Sequence, residues 1–564
     1  MRSSVRSGNS QPRWLFPFVV IVVLVLSVLP LARLAWTGIV SALRGDAGQL
    51  LADPALWSAT LNTLATSFLG MIAAVILGGS FAVLLTLFDV RGRSALGFLF
   101  MLPMMIPPQV TALSWIGLTG PSSTLLKALG MAPPLGSPQP LYSIGGIALL
   151  FGVQHAPLVY LAMRAGLLAL PKEGVEAARL SGASTVRVLL DIVLPLAMPG
   201  LVAGAAIAFV SGVGNFGIPA ILGIPASIYT LPTLIYSKFA SFGPTTFADI
   251  SIISVLITLL AVAGLSVEAR VLRGRDYRTI GLPGQAAVFR LGAVRLPAEM
   301  LLWLVTFIIL VLPFLALLAG SLAPAYGVPL NLETATLHAY EEVILRQSVT
   351  RSAFTNSVSL ALASAFGLLV ISVLLGYYIV QTKSRTAATI SALAEVPYAL
   401  PGIVLAVAFI LLLAAPLPIL GFSVYGTIWI ILIAYLSSFL AVSLKPVISA
   451  YRQFDPSLEE AARLSGAGFY RRMRDVLVPL IAPAAGSSII LVFLIACNEL
   501  TVSALLWSAG TQTLGVAIYN LDDSGSFNLA AALSVLVVVM VVVLMLILEL
   551  MARRLPAGAL PWRR

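Results

Sequence analysis

The sequence predicts an all-α, polytopic membrane protein with about twelve transmembrane helices arranged as two parallel six-helix repeats. Three observations carry this. Of the 564 residues, 59% are hydrophobic and only 10% charged, with a mean hydropathy of +1.03; a soluble globular chain is roughly a quarter charged. The apolar residues fall into runs long enough to cross a bilayer, which takes roughly 20 residues each. One eight-residue string, EAARLSGA, occurs twice, at 176–183 and 460–467, each time on a polar island between apolar runs.

The runs centre near Val25, Ala73, Met105, Val153, Ala206 and Leu259 in the first half, and near Ile309, Gly367, Phe409, Leu432, Ile490 and Val539 in the second. The first run follows the basic segment MRSSVRSGNSQPR and is longer than a signal peptide needs, so it is predicted to be an uncleaved first span. With the N-terminus inside and the spans alternating, all but six of the 33 Lys and Arg residues fall on inner segments; Arg33, Arg44, Lys127, Lys238, Arg346 and Arg351 are outside. That asymmetry predicts both termini, and both copies of EAARLSGA, in the cytoplasm. It also accounts for the net charge of +11 without a nucleic-acid or other acidic partner. The single cysteine, Cys497, excludes a disulfide framework or thiolate metal site. His155 and His338 have no partner at ligand spacing, so neither a metal nor a cofactor is predicted.

The copies of EAARLSGA are offset by 284 residues, and the same offset carries Arg187 to Arg471, Asp191 to Asp475, Pro195 to Pro479 and Pro199 to Pro483. Upstream the offset is 294 and carries Asn62 to Asn356, Pro103 to Pro397 and Pro107 to Pro401. The change matches a shorter outer loop after Phe409. The chain therefore divides into residues 1–285 and 286–564, two halves of the same orientation. Their repeated cytoplasmic loops are 171–195 and 455–479.

In the first loop Pro171 suits a helix start. Glu173, Glu176, Ala177 and Leu180 then fall on one helical face, and Gly182 supplies a left-handed stop. The second loop repeats the plan with Ser457, Glu460, Ala461 and Leu464, then Gly466. In each, Ala178 or Ala462 follows and lets a partner's backbone approach closely. Arg187–Asp191 and Arg471–Asp475 form i,i+4 pairs that contribute only a few tenths of a kcal/mol.

The pattern E-A-A, three residues, G, then L-P and a further proline resembles the cytoplasmic EAA loop of binding-protein-dependent ABC importer permeases, in EAARLSG with LPLAMP and again in EAARLSG with VPLIAP. The resemblance implies a type I importer fold in a bacterial inner membrane. It assigns ATPase coupling to Glu173, Glu176, Ala177, Ala178, Leu180, Gly182, Glu460, Ala461, Ala462, Leu464 and Gly466. It also implies two separate ATP-binding cassette subunits and a periplasmic or surface-tethered substrate-binding protein. The chain itself has no G-x-x-x-x-G-K-[ST] string with which to cradle ATP phosphates, so it is not expected to be an enzyme. The fused halves, with GVGNFGIPAILGIPASIYTLPTLIYSKF and NELTVSALLWSAGTQTLGVAIYNL after spans five and eleven, resemble ferric-iron importer permeases. Thiamine, phosphonate, polyamine and anion importers share the general plan.

Charged and polar residues inside a bilayer are functional candidates. Asn215, Asn498 and Glu499 are expected to line a translocation path, Glu499 and Asn215 being repeat equivalents. Glu395 is read as interfacial. The rival from another class is a proton-coupled secondary transporter of two six-span halves. LFDVRGRSALG resembles the D-x-x-G-R loop of that class, but its counterpart VQTKSRTAATI lacks the glycine, and the twin EAA loops would go unexplained.

Overall fold

The computed structural model describes residues 12–134, 136–170, 172–241, 243, 245–273, 289–382, 384–416 and 421–552. Pro171, most of the inter-half linker (274–288), Arg2 and Arg6 at the N-terminus and the basic residues of the C-terminus lie outside the described residues. Apart from a single parallel bridge between Phe88 and Phe289, the described secondary structure is helical.

Ten of the described helices are long and apolar enough to cross a membrane: Leu15–Leu43, Pro54–Leu87, Ile144–Leu168, Thr185–Gly214, Thr246–Leu272, Gly292–Leu322, Ser348–Thr382, Ile428–Arg452, Phe469–Cys497 and Phe527–Ile547. The two remaining predicted spans, three and nine, are broken. Arg93–Met105 meets Pro108–Leu118 at a bend of 104°, and Arg385–Ala399 meets Gly402–Leu413 at 108°. Counting each pair as one gives the twelve expected, numbered here in chain order. The breaks have a local cause. A proline pushes the residue before it out of the helical region; Ile106 (ψ 133°) precedes Pro107, and Leu400 (ψ 144°) precedes Pro401.

Prolines shape the other spans more gently. Four five-residue π turns, Leu24–Val28, Leu189–Val193, Phe307–Val311 and Met473–Leu477, each end two residues before a proline: Pro30, Pro195, Pro313 and Pro479. A proline ring clashes with the carbonyl four residues back, and widening the preceding turn relieves it without ending the helix.

The duplication is visible in the hydrogen bonds. Asn62 Nδ2 donates to the Tyr229 carbonyl (2.9 Å), and Asn356 Nδ2 to those of Gly510 (2.9 Å) and Gln512 (3.0 Å). Beside them, Thr63 Oγ1 accepts from Leu231 N and Ser357 Oγ from Leu514 N, both at 2.8 Å. Spans two and eight thus hold the segments after spans five and eleven in the same way.

The halves also differ in kind of packing. In the first, a Cβ on Gly78 would meet the Ala156 carbonyl and one on Gly204 would lie 2.9 Å from Val159 Cα, so spans two, four and five approach backbone to backbone. At the three equivalent positions the second half carries Ser372, Ser443 and Ser488, whose hydroxyls bond at 2.9 and 3.0 Å. Both are ways to join helices in lipid, where close approach and interhelical hydrogen bonds replace the hydrophobic drive.

The halves interlock. Span one packs on spans eight, nine and ten of the other half, with Ser437 Oγ donating to the Leu26 carbonyl and Arg33 Nε to that of Leu411 (3.3 Å). Span seven packs on span three: Glu299 accepts from Arg91 N (2.8 Å), and Arg295 pairs with Asp89 (3.5 Å). Hydrophobic periodicity shows which face of a span is covered but not by which half, so the exchange was not foreseen.

Candidate functional site

The two repeated loops fold as expected. Their helices are Lys172–Leu180 and Pro456–Leu464. Asp455 caps the second by accepting from Ser457 N at 2.9 Å. Each ends in the same hydrogen-bonded stop, with Ala183 N donating to the Ala178 carbonyl (3.1 Å) and Ala467 N to that of Ala462 (3.0 Å). The stop needs a residue at positive φ, supplied by Gly182 (+83°) and Gly466 (+80°). Nothing lies within 4 Å of a Cβ built at either. Glycine is there for its backbone, not for want of room.

Glu173, Glu176, Ala177, Leu180 and Gly182 are exposed in the first loop, as are Glu460, Ala461, Leu464 and Gly466 in the second; Ala178 and Ala462 are half-buried. Leu180 is 90% and Leu464 89% exposed. Both knobs therefore present the same outward surface, with a leucine at its tip. The i,i+4 pairs form as read, Arg187–Asp191 at 3.4 Å and Arg471–Asp475 at 3.8 Å, all well exposed.

The path candidates lie where the broken spans meet the segments after spans five and eleven. Asn215 Oδ1 accepts from Ile218 N (3.2 Å), and its Nδ2 donates to Gln154 (3.4 Å). Glu499, its repeat equivalent, accepts from Val502 N (2.6 Å) and Ser503 N (3.1 Å). Each is thus the cap of a short helix, Gly217–Leu222 or Ser503–Leu506. Asn498 instead reaches across the halves, donating to the Met105 carbonyl at the bend of span three (3.2 Å).

Close contacts seal this region. A Cβ on Gly214 would lie 2.7 Å from Pro401 Cβ. One on Gly515 would lie 3.0 Å from the Glu499 carbonyl and 3.1 Å from Gln109 Nε2. Gln109 is fully buried here, and neither of its amide atoms has a hydrogen-bond partner. Sequence reading passed over Gln109, because one amide in an apolar run carries no periodic signal. It also passed over Glu459 and Arg472, which pair at 3.3 Å beneath the second loop helix; aligning the two repeats residue by residue would have exposed them. Glu395 pairs with Lys445 at 3.2 Å, with both side chains substantially exposed, which fits its interfacial reading. Among the described residues no group of three His, Cys, Asp or Glu could hold a metal ion.

Residues 67–273 and 368–557 match the family described as "Binding-protein-dependent transport system inner membrane component", one match per half. The "Probable ABC transporter permease protein y4fN" of Sinorhizobium fredii is 26% identical over 90% of this chain and 88% of its own. The "Ferric transport system permease protein FbpB" of Actinobacillus pleuropneumoniae is 24% identical over 84% of this chain and 68% of its own. The "Molybdenum transport system permease protein ModB" of Escherichia coli K12 is 29% identical over 41% of this chain and 100% of its own. A solved structure of a bacterial ABC transporter involved in the import of the acidic polysaccharide alginate aligns with 46% of this chain and 95% of its own, at 16% identity and a TM-score of 0.38.

Proposed function

The chain belongs to the family of binding-protein-dependent transport system inner membrane components and is the permease of an ABC importer, and from that premise we propose that it carries ferric iron from a soluble receptor across the bacterial inner membrane. Its two halves, residues 1–285 and 286–564, form the transport unit, with both termini cytoplasmic. ATP hydrolysis belongs to two ATP-binding cassette subunits beneath it, and substrate capture to a periplasmic or surface-tethered receptor.

The observation that carries this reading is the pair of exposed knobs. Glu176, Ala177, Ala178, Leu180 and Gly182, with Glu173, form one docking surface; Glu460, Ala461, Ala462, Leu464 and Gly466 form the other. Because EAARLSGA is identical in both copies and its leucine is bare in both, the surface fits two copies of one ATPase chain. ATP favours one global state of the ATPase pair, and the knobs pass that preference to the spans, since a ligand shifts an equilibrium only by its differential affinity for the two states. Asn215, Asn498, Glu499 and Gln109 line the path where the broken spans close it. Closing is achieved by glycine–proline contact, and opening exposes a carboxylate and amides to the substrate.

Ferric iron is favoured because the relative named for it is matched over most of this chain, whereas the molybdenum relative corresponds to one half. A carboxylate at Glu499 also suits a cation better than an oxyanion. The test is reconstitution of the chain with its copurifying ATPase and receptor in proteoliposomes. Uptake of radiolabelled ferric iron that needs ATP and receptor, and survives collapse of the proton gradient, is expected. Uptake driven by a proton gradient alone would overturn the reading, and uptake of molybdate or a phosphonate in place of iron would overturn the substrate.

A further inference from the structure

The inward faces of the two loop helices are built from opposite chemistry. Under the first, Val175 (4% exposed) and Val188 (0%) pack in an apolar cluster with Leu87, and Val83 lies against it. At the four equivalent positions the second half carries Glu459, Arg472, Gln381 and Tyr377. These bond to one another. Glu459 Oε1 accepts from the Tyr377 hydroxyl (2.8 Å) and Arg472 Nε (3.3 Å), and its Oε2 accepts from Gln381 Nε2 (2.8 Å). Arg472 also donates to the Ala467 carbonyl at the helix stop (3.1 Å). Arg472 and Tyr377 are 3% and 2% exposed.

Four apolar positions thus correspond to four mutually satisfied polar ones, while the string EAARLSG beside them, with its exposed glutamate and leucine, is the same in both halves. We infer that Tyr377, Gln381, Glu459 and Arg472 act as one polar clamp that positions the second coupling helix on the cytoplasmic end of span eight, and so transmits its movement into the second half. The inference rests on the coupling reading above. Glu459 lies on the loop helix, Arg472 at the start of span eleven, and Tyr377 and Gln381 at the end of span eight; the Glu459 carboxylate therefore ties three elements at one point. At the four equivalent positions the first half makes its attachment by apolar packing, with Arg179 on the loop helix lying over the Phe289 ring (5.2 Å) beside it.

A unit of this kind has a signature. Removing one member of a buried pair leaves the other uncompensated, whereas replacing the whole set with apolar residues is often neutral. In reconstituted complexes, Glu459→Val and Arg472→Val are each expected to lower the substrate carried per ATP hydrolysed by about tenfold. The receptor concentration giving half-maximal uptake and the amount of ATPase copurified stay unchanged. The quadruple variant Tyr377→Val, Gln381→Leu, Glu459→Val and Arg472→Val, which copies the first half, is expected to recover to within about threefold of the starting protein. Wild-type stoichiometry in both single variants would overturn the clamp, and so would a quadruple variant no better than the singles.

Should the single variants fail to reach the membrane, a disulfide between Gln381→Cys and Glu459→Cys replaces the clamp with a covalent tie. Because this variant lacks Glu459, its reduced form is expected to carry as little substrate per ATP as Glu459→Val and its oxidised form to recover; oxidation that leaves the ratio unchanged or lowers it overturns the fixed attachment. If the unaltered complex shows no ATP-dependent uptake, the coupling reading and the clamp fall together. Coupled uptake that clamp variants leave untouched sinks the clamp alone.

Discussion

Substituting Gly466 separates backbone conformation from bulk at the coupling stop. Gly466 sits at φ +80° with nothing within 4 Å of a Cβ, so an added side chain meets no atom of the chain itself. What it meets is the left-handed region, which costs an L-residue roughly 1–2 kcal/mol, least for asparagine and most for a β-branched residue. At roughly 1.4 kcal/mol per factor of ten, Gly466→Ala at about 1 kcal/mol lowers the ratio of stop to alternative turn about fivefold relative to glycine, and Gly466→Val at about 2 kcal/mol lowers it about thirtyfold. Gly466→Asn costs little. If the stop must be formed for the knob to engage its ATPase, maximal ATP-driven uptake in proteoliposomes should fall in the order Asn, Ala, Val, with membrane level unchanged. The same series at Gly182 should behave alike, its φ being +83°. A valine variant that transports normally would refute the requirement for this turn. Equal loss for Asn and Val would refute the backbone account and leave exclusion of any side chain by the partner's groove.

Three further outcomes follow from the geometry. Glu499→Asn installs the residue of the repeat equivalent; it should keep the bonds to the start of Ser503–Leu506 and the thermal stability while losing most ATP-driven uptake, whereas Glu499→Ala should lose about 1 kcal/mol of stability as well. Full uptake by the Asn variant would confine Glu499 to capping. Gly214→Ala places a Cβ 2.7 Å from Pro401 Cβ; such overpacking costs about 1–3 kcal/mol, so the melting temperature should drop, and an unchanged one would show that the two halves do not meet tightly there. Asp455 is held below the ordinary carboxylate range by its bond from Ser457 N. A depressed carboxyl stabilises above its unfolded pKa and loses that contribution only as pH falls through its folded one. The coupling contribution of this cap, read as the difference in uptake between the unaltered protein and Asp455→Ala, should therefore be flat from neutral pH down to about pH 5; a difference that vanishes between pH 7 and 6 would show that the cap is not what the aspartate provides.

Much of this was legible in the residues. Apolar runs near Val25, Ala73 and Ile490 became spans because nothing else can hold such runs in water. EAARLSGA became an exposed helix and a left-handed stop because Gly182 and Gly466 admit no other simple ending. The bends at Ile106–Pro107 and Leu400–Pro401 were hidden for a physical reason: hydropathy sums composition and is blind to direction, so a run folded back at Pro107–Pro108 reads like a straight one. The prolines were seen as repeated landmarks and not as corners. The exchange of spans one and seven was not legible, since an apolar stripe does not name its partner. Asn215 and Glu499 were picked out as polar residues in greasy surroundings, but their shared work as caps appears only once the short helices after them are known.

The clearest divide in the molecule runs through each loop helix. A duplicated segment that merely filled space would diverge on both faces, and a solvated outer face would diverge faster than a packed inner one. Here the outward residues of EAARLSGA are identical, although Glu173 and Gly174 ahead of it give way to Ser457 and Leu458, and the inner face is rebuilt, valines in one half and a glutamate–arginine pair in the other. Ala178 and Ala183 pack inward and Arg179 lies over Phe289, but at the tip Leu180 and Leu464 are nearly bare. Their constraint must come from outside the chain, and because both copies are held to the same sequence, it comes from the same kind of surface twice. The inner residues answer only to their own half, and each half has found its own packing: glycine against valine and then apolar plug in the first, a serine triad and then a polar clamp in the second. One outward string carried on two unlike internal attachments is the physical content of this duplication. It implies that exchanging one inner residue at a time disturbs its own half alone.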